Sequence, residues 1–232
     1  MKVGVVCAGF AVAGSLLLVG CDKSEKPAAQ ATPAAPAAKL AAAEVTLKDS
    51  VENLPNALIA VSYDPAVGQY KGAVDLIEKA TADRVAAFKT KVAALPAPKD
   101  PSTKPTLSLN YTSIANTTRF AAIALNGSEY VSGTAATPLM QRWVWLPTSK
   151  SLLTVEQFVP SGVSAITARG GGGKLIGMEP SADANGRMSS VNFVFAKDGE
   201  ADAVDKVHFA ASELKSFIDP KYRDLLGDDP AK

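Results

Sequence analysis

Between positions 72 and 95, apolar residues recur at the spacing of a single helix face. The stripe consists of Val74, Ile77, Thr81, Val85, Phe88, Val92 and Leu95, with Thr81 as its one polar member. Steps of three or four residues place side chains on one side of an α-helix. Pro96 ends the pattern, because proline cannot continue a helix. The spacing therefore predicts a helix over 72–95 whose striped face packs on a sheet.

After Pro105 the apolar period changes from helical to alternating, which is typical of a half-buried strand. Candidate strands lie at 107–111, 119–125, 139–146, 191–195 and 204–209. Asn126-Gly127 either closes a hairpin or lies in a bulge of a longer strand, and Asp198-Gly199 is the predicted turn of a hairpin. Ser212 is the predicted N-cap of a short helix that ends before Pro220. This order predicts an α+β fold with a mainly antiparallel sheet packed against an amphipathic helix, and a short C-terminal helix.

The first residues have the three zones of a secretion signal: a charged start at Lys2, an apolar run, and small residues before Cys21. Leu18-Val19-Gly20-Cys21 matches a bacterial lipobox, which predicts a signal peptide over 1–20 and a lipid-modified Cys21 (diacylglycerol plus an amide-linked acyl chain such as palmitate). A transmembrane helix is the alternative, but the run is short, contains glycines and is followed at once by polar residues.

Residues 21–43 are rich in alanine and proline, and this composition is typical of a semi-rigid tether. The globular domain is expected over 44–232, which is enough chain for one core. The lipid would attach the protein to a bacterial membrane and leave it facing the periplasm. Asp22, directly after the modified cysteine, resembles an inner-membrane retention signal.

Charge and cysteine content exclude several classes of partner and bond. Removal of the signal would take away Lys2 and leave 23 basic and 23 acidic residues, a balance that argues against nucleic acid as a partner. The two cysteines are Cys7, which lies in the signal, and Cys21. No disulfide is therefore expected within the mature chain, and the domain must be held by its core.

Possible catalytic and metal-binding patterns are incomplete. His208 is the single histidine, too few for a usual zinc shell, and Ser212-x-x-Lys215 lacks the accompanying motifs of penicillin-binding enzymes. The glycine run between Arg169 and Lys174 does not have P-loop spacing, and the calcium-like segment 181–186 lacks its glutamate. We therefore expect no metal, no cofactor and no enzyme activity, with a hydrolase based on Ser212 as the remaining enzymatic alternative.

Trp143 and Trp145 fall on one face of a predicted strand, near Tyr130 and Arg142. They either fill the core, as aromatic residues at this period usually do, or form a platform for sugar rings or a protein partner.

Three segments carry a resemblance to a known family: 129–138, 152–158 and 207–214. They resemble the extracytoplasmic PdaC/RsiV-like family, over most of the chain after Val45. That family has a Tyr-x-Gly-Gly-Ala-His motif where this chain has Tyr130-Val131-Ser132-Gly133, followed by Thr134 and two alanines in place of the second glycine and the histidine.

The resemblance implies a non-catalytic binding module for a cell-wall-related partner, either a lysozyme-like enzyme or peptidoglycan. Lysozyme-like enzymes have an acidic cleft that a partner can block with a loop. Tyr130, Gly133, Arg169 and Lys174 are therefore the candidate partner-binding residues, because they lie in or beside glycine-containing segments. A structural envelope lipoprotein without a soluble ligand is the alternative.

Replacing Cys21 by alanine should abolish lipidation, because the thiol is the atom that receives diacylglycerol. We expect the wild-type protein to incorporate a labelled fatty acid and the Cys21→Ala variant to stay unlabelled, unprocessed or soluble. Cys7→Ala is the matched control and should be labelled like the wild type. Equal labelling of the wild type and the Cys21 variant would contradict the anchor.

Overall fold

The computed structural model describes residues 43–133, 135–171, 173–197 and 204–227, all within a compact unit spanning 35–232. The strands are β1 (Ser50–Asn53), β2 (Leu58–Tyr63), β3 (Thr106–Asn116), β4 (Ala121–Tyr130), β5 (Thr137–Leu146), β6 (Ser151–Leu153), β7 (Lys174–Ala182), β8 (Met188–Ala196) and β9 (Val204–Ala210). The helices are α1 (Lys71–Val92), α2 (Val155–Phe158), α3 (Val163–Arg169) and α4 (Ala211–Leu214). The predicted signal peptide and residues 21–42 of the tether lie outside the described residues.

The strands form two sheets. Strands β1 to β6 make a six-stranded sheet in sequence order, and β7, β8 and β9 make a three-stranded sheet. Every neighbouring pair is antiparallel except β2 and β3, which are parallel and are joined through α1. The predicted α+β class with a mainly antiparallel sheet is confirmed. None of the described helices is long and apolar enough to cross a membrane.

Helix α1 packs its predicted stripe on the six-stranded sheet. Val74, Ile77, Thr81, Phe88 and Val92 are buried, facing Leu107, Leu109 and Ile123 among others. The helix ends at Val92 and not at Leu95, because Pro96 has no N–H to bond the Val92 carbonyl. The Asn56 side-chain amide donates to that carbonyl at 2.7 Å instead.

The polar member of the stripe, Thr81, has a partner inside this core. Its hydroxyl donates to the Tyr111 hydroxyl oxygen at 2.7 Å. The Tyr111 ring lies between those of Tyr63 and Trp143, with centroid distances of 5.2 and 6.0 Å. Burial raises the pKa of Tyr111 above its usual value, and the Thr81 hydrogen bond partly opposes that shift. A buried hydroxyl pair is stable here because each oxygen takes part in a hydrogen bond.

A second apolar cluster lies on the other side of the six-stranded sheet, where one face of the three-stranded sheet meets α2, α3 and α4. Its largest members include Phe120, Phe158, Ile166, Met178, Phe193, Phe195 and Phe209. Phe193 and Phe209 meet edge to face, with centroids 5.5 Å apart. The cluster also contains Val144 and Leu146 of β5, so it holds the two sheets together.

A buried ion pair connects the sheets at the crossing of β5 and β7. Arg142 donates from Nε to Glu179 Oε1 at 2.7 Å, and its Nη1 donates to the Leu125 carbonyl. The two charged side chains are 4% and 9% exposed. Lys206, more open to solvent, donates to the other Glu179 oxygen at 2.6 Å. Gly177 allows the close approach, since an added Cβ would lie 2.6 Å from Arg142 Cβ.

Several local predictions need correction. Asn126-Gly127 lies inside β4 and closes no hairpin, and a Cβ at Gly127 would lie only 2.3 Å from the Ser108 carbonyl oxygen. The bulge of this strand pair falls in β3, between Ser113 and Ala115. The predicted hairpin of β8 and β9 is present, although its turn at 198–199 lies outside the described residues.

The cap of the short C-terminal helix was predicted at the wrong residue. Ala210, and not Ser212, is the N-cap of α4, because the Glu213 carboxylate accepts the Ala210 N–H at 2.8 Å. Ser212 lies within the helix and is exposed. A glutamate three residues after the cap can satisfy an orphan N–H without a serine at the cap itself.

Truncation of Phe88 should destabilise the helix-on-sheet core. Phe88 is fully buried, so Phe88→Ala should reduce the free energy of unfolding by about 3 to 5 kcal/mol. Val51→Ala is the control: Val51 is 74% exposed, and its truncation should cost about 0.5 kcal/mol or less. Urea unfolding of both variants measures this, and equal midpoints would refute the packing.

The ion pair between the sheets should behave as a coupled unit. Glu179→Leu leaves the Arg142 charge buried without its carboxylate and should cost about 3 to 5 kcal/mol. Adding Arg142→Met to that variant should recover much of the loss, because the pair is then replaced by apolar groups. Asp83→Asn, in an exposed pair with Lys79, should change stability by about 0.5 kcal/mol or less. Additive losses in the double variant would contradict the coupling.

Candidate functional site

Tyr130 and Gly133 lie at the connection between β4 and β5. Tyr130 is the last residue of β4, paired with Thr106, and is half-buried. Gly133 is exposed, with a φ of 79° and no atom within 4 Å of an added Cβ. The turn therefore needs glycine for its backbone conformation, and its outer side is open.

Arg169 and Lys174 lie at the two ends of a second glycine-containing loop, between α3 and β7. The Arg169 guanidinium lies 4.2 Å above the ring centre of Phe209, and Lys174 is exposed as the first residue of β7. A Cβ on Gly170 would lie 2.5 Å from the Phe195 ring. Glycine here permits the loop to lie directly on the aromatic cluster, so both cations project from an anchored segment.

The four predicted partner-binding residues therefore form two groups. Arg169 and Lys174 flank one loop, while Tyr130 and Gly133 belong to another. Among the contacts of the described residues, no hydrogen bond, ion pair or ring contact joins the two groups. Of the two, the loop from Arg169 to Lys174 is the one that combines exposure with positive charge.

The weaker catalytic candidates have local roles in the structure. His208 Nδ1 lies 3.0 Å from Asn192 Oδ1 on the neighbouring strand and is exposed. No hydrogen bond joins Ser212 to Lys215 in the described part of the chain. In the calcium-like segment, Asp183 Oδ1 accepts backbone N–H groups from Asn185 and Arg187, which makes this segment a turn.

Neither a sugar platform nor a three-ligand metal cluster occurs among the described residues. Trp143 is 5% exposed and stacks on Tyr111 beneath α1. Trp145 packs on Gly72, where an added Cβ would lie 2.4 Å from its ring. Both tryptophans therefore fill the interface of helix and sheet, and the platform is wrong. Residues 43–133, 135–171, 173–197 and 204–227 contain no group of three potential metal ligands from histidine, cysteine, aspartate and glutamate.

A pocket of about 220 Å³ opens where β5, β7 and the junction of β6 with α2 meet. Its lining comes from Gln141–Val144, Leu152–Glu156 and Leu175–Met178. Sequence reasoning missed this site, because its three segments are far apart in the chain and none contains a recognisable motif. The weak signal available was an acidic residue, Glu156, beside an apolar run.

The pocket lining combines apolar side chains with polar groups. Trp143, Leu153, Val155 and Met178 are buried apolar residues of the lining. Glu156 is exposed, and no ion pair of the described residues includes it. The arrangement is suited to a group with an apolar body and a polar or charged end.

On the opposite, α1 side of the lining, Gln141 is held in place by a contact from the helix. The Arg84 guanidinium donates to Gln141 Oε1 at 2.7 Å. This bond leaves the amide nitrogen of Gln141 without a hydrogen bond among the described contacts.

No protein-family model matches the chain, and no curated protein matches it either. Among solved structures, the chain is similar to a DUF3298 family protein from Pseudomonas aeruginosa PAO1, with a TM-score of 0.46 and 9% sequence identity. The similarity covers 78% of this chain and 94% of that protein.

Proposed function

We propose that this chain is a lipid-anchored envelope protein that binds a cell-wall-related partner without chemically converting it. The partner is a lysozyme-like enzyme or peptidoglycan, of which the enzyme fits the charge of the candidate loop better. The lipobox at Cys21 and the alanine- and proline-rich tether support the location. The resemblance to the extracytoplasmic PdaC/RsiV-like family supports the class of partner.

The observation that carries the proposal is the cationic loop from Arg169 to Lys174. Gly170 and Gly173 lie against Phe195, and Arg169 rests on the Phe209 ring. An anchored loop loses less conformational entropy on binding than a free one, so its cations can interact at lower cost. Two exposed cations on such a loop are complementary to the acidic cleft of a lysozyme-like enzyme.

The residues that would have to carry catalysis support a binding role over turnover. His208 is bonded to Asn192 on an exposed strand face, and among the described hydrogen bonds none joins the Ser212 hydroxyl to a base. A nucleophile needs a base within hydrogen-bond distance and a third group to orient that base. A structural lipoprotein without a soluble ligand remains the second candidate, and the tether is equally compatible with it.

The experiment is a calorimetric titration of the purified full-length chain with a panel of lysozymes and with purified peptidoglycan fragments. A wall-hydrolysis assay with and without the chain runs in parallel. We expect saturable binding to at least one lysozyme and slower wall hydrolysis in its presence. No binding to any lysozyme or fragment at about 500 μM would refute the binding function and favour the structural lipoprotein.

The cationic loop should determine the affinity for the enzyme. Arg169→Ala combined with Lys174→Ala should weaken lysozyme binding by about tenfold or more, since both cations then leave the contact. The matched control is Lys48→Ala with Lys99→Ala, which removes the same charge from two exposed positions outside the loop. Higher salt should weaken wild-type binding as well. Equal affinities for the loop variant and the control would exclude this loop as the binding surface.

A further inference from the structure

Strand β5 has two long sides, and among the described residues one of them has no partner strand over most of its length. On one side, β5 pairs with β4 from Thr137 to Trp145. On the other side, the described pairs are limited to Val144–Leu146, which pair with β6. Alternate residues of an antiparallel strand direct both N–H and C=O to the same neighbour. Alternate residues of 137–143 therefore have backbone groups on that side that no described strand pairs, as in an edge strand. Pro138 has no N–H to donate, and the Gln141 carbonyl already accepts from Arg142 Nη1 at 3.0 Å.

This free side leads directly into the pocket, since Gln141–Val144 belong to its lining. An added strand cannot extend beyond Gln141, because β7 lies there with its Gly177 backbone against Arg142. An added strand could thus pair with residues 137–141 and place one side chain in the pocket. Backbone pairing would supply affinity, and the pocket would select the side chain.

The size of the pocket matches one side chain. A cavity of about 150 Å³ is known to hold a benzene molecule, and drug-sized ligands occupy roughly 300 to 1,000 Å³. A volume of about 220 Å³ falls between these values. It is therefore large enough for one long side chain and too small for most cofactors.

The charge at the rim selects the type of side chain. Glu156 provides an exposed carboxylate that no described cation neutralises. Arg142 also belongs to the lining, but its guanidinium is bonded to Glu179 and to the Leu125 carbonyl on the β4 side. The lining also includes the buried apolar side chains of Leu153, Val155 and Met178. A lysine or arginine side chain has the required form, with an aliphatic stem and a cationic end.

We infer that the chain binds an extended segment of a protein partner as an added strand along residues 137–141 of β5. A lysine or arginine of that segment enters the pocket beside Glu156. This site is separate from the cationic loop and does not depend on the proposed function. It recognises basic segments, whereas the loop is complementary to acidic surfaces.

The probe is the capped pentapeptide Thr-Val-Lys-Val-Thr, titrated calorimetrically into the purified full-length chain. A peptide with norleucine in place of lysine keeps the stem and removes the charge, and a peptide with every backbone nitrogen methylated removes the backbone donors. We expect the lysine peptide to bind with a Kd of roughly 0.1 to 1 mM, the norleucine peptide more weakly, and the methylated peptide not at all.

Two protein variants test the pocket itself. Glu156→Gln should weaken binding of the lysine peptide by about two- to fivefold and leave the norleucine peptide unchanged, because the rim pair is exposed. Ile176→Trp should fill the pocket and weaken both peptides by about tenfold or more. Glu78→Gln, an equal charge change on exposed α1, is the control and should bind like the wild type. Melting temperatures show whether each variant is folded.

The inference is overturned if the lysine peptide shows no binding at about 5 mM, or if lysine and norleucine peptides bind equally well. Unchanged binding by folded Ile176→Trp also overturns it, and if that variant does not fold, the Glu156→Gln result decides. Lysozyme binding without peptide binding would refute this site and preserve the proposed function. Peptide binding without any lysozyme or glycan binding would support this site and refute the proposed function.

Discussion

The pairing of Arg142 with Glu179 is the constraint that relates the two sheets to each other. A guanidinium that is 4% exposed cannot stay charged in a protein interior without a carboxylate and further acceptors. Glu179 and the Leu125 carbonyl supply them, which requires β7 to cross β5 at this point. Gly177 allows the crossing, and Lys206 occupies the second carboxylate oxygen. The same crossing forms one end of the pocket.

On either side of this junction, two cores are filled by different means. Beneath α1, a stripe of aliphatic and aromatic groups covers the six-stranded sheet, and its one hydroxyl is matched by that of Tyr111. Beneath the three-stranded sheet, phenylalanines dominate, and glycine backbone lies directly on their rings at Gly170. Close packing of this kind holds Gly170 and Gly173 against the rings, and the exposed residues Arg169 and Lys174 directly adjoin them.

The two candidate binding surfaces are of opposite charge. The loop from Arg169 to Lys174 is cationic, whereas the rim of the pocket has the unpaired carboxylate of Glu156. A protein with balanced total charge can thus present two distinct local fields, each effective within about one Debye length of roughly 8 Å.

Local periodicity explains what could be predicted of this fold. The stripe of α1, the alternation in β5 and the hairpin of β8 with β9 follow from spacing within one segment. The prediction missed β7, because a bulge between Leu175 and Gly177 puts Leu175 and Met178 on one face, three residues apart. The glycine loop between Arg169 and Lys174 was visible in the sequence. The contacts of that loop with the Phe195 and Phe209 rings could not be predicted from the sequence.

The sequence by itself determined the helix face, the strand alternation and the positions of the cations along the chain. Only the tertiary structure decided that Glu179 lies against Arg142, that Trp143 and Trp145 point into a core, and that three distant segments enclose a pocket. The reason is physical. Backbone geometry sets the period of side chains within one element, whereas charge pairing, close approach and cavities depend on atoms that come together only after distant segments have packed.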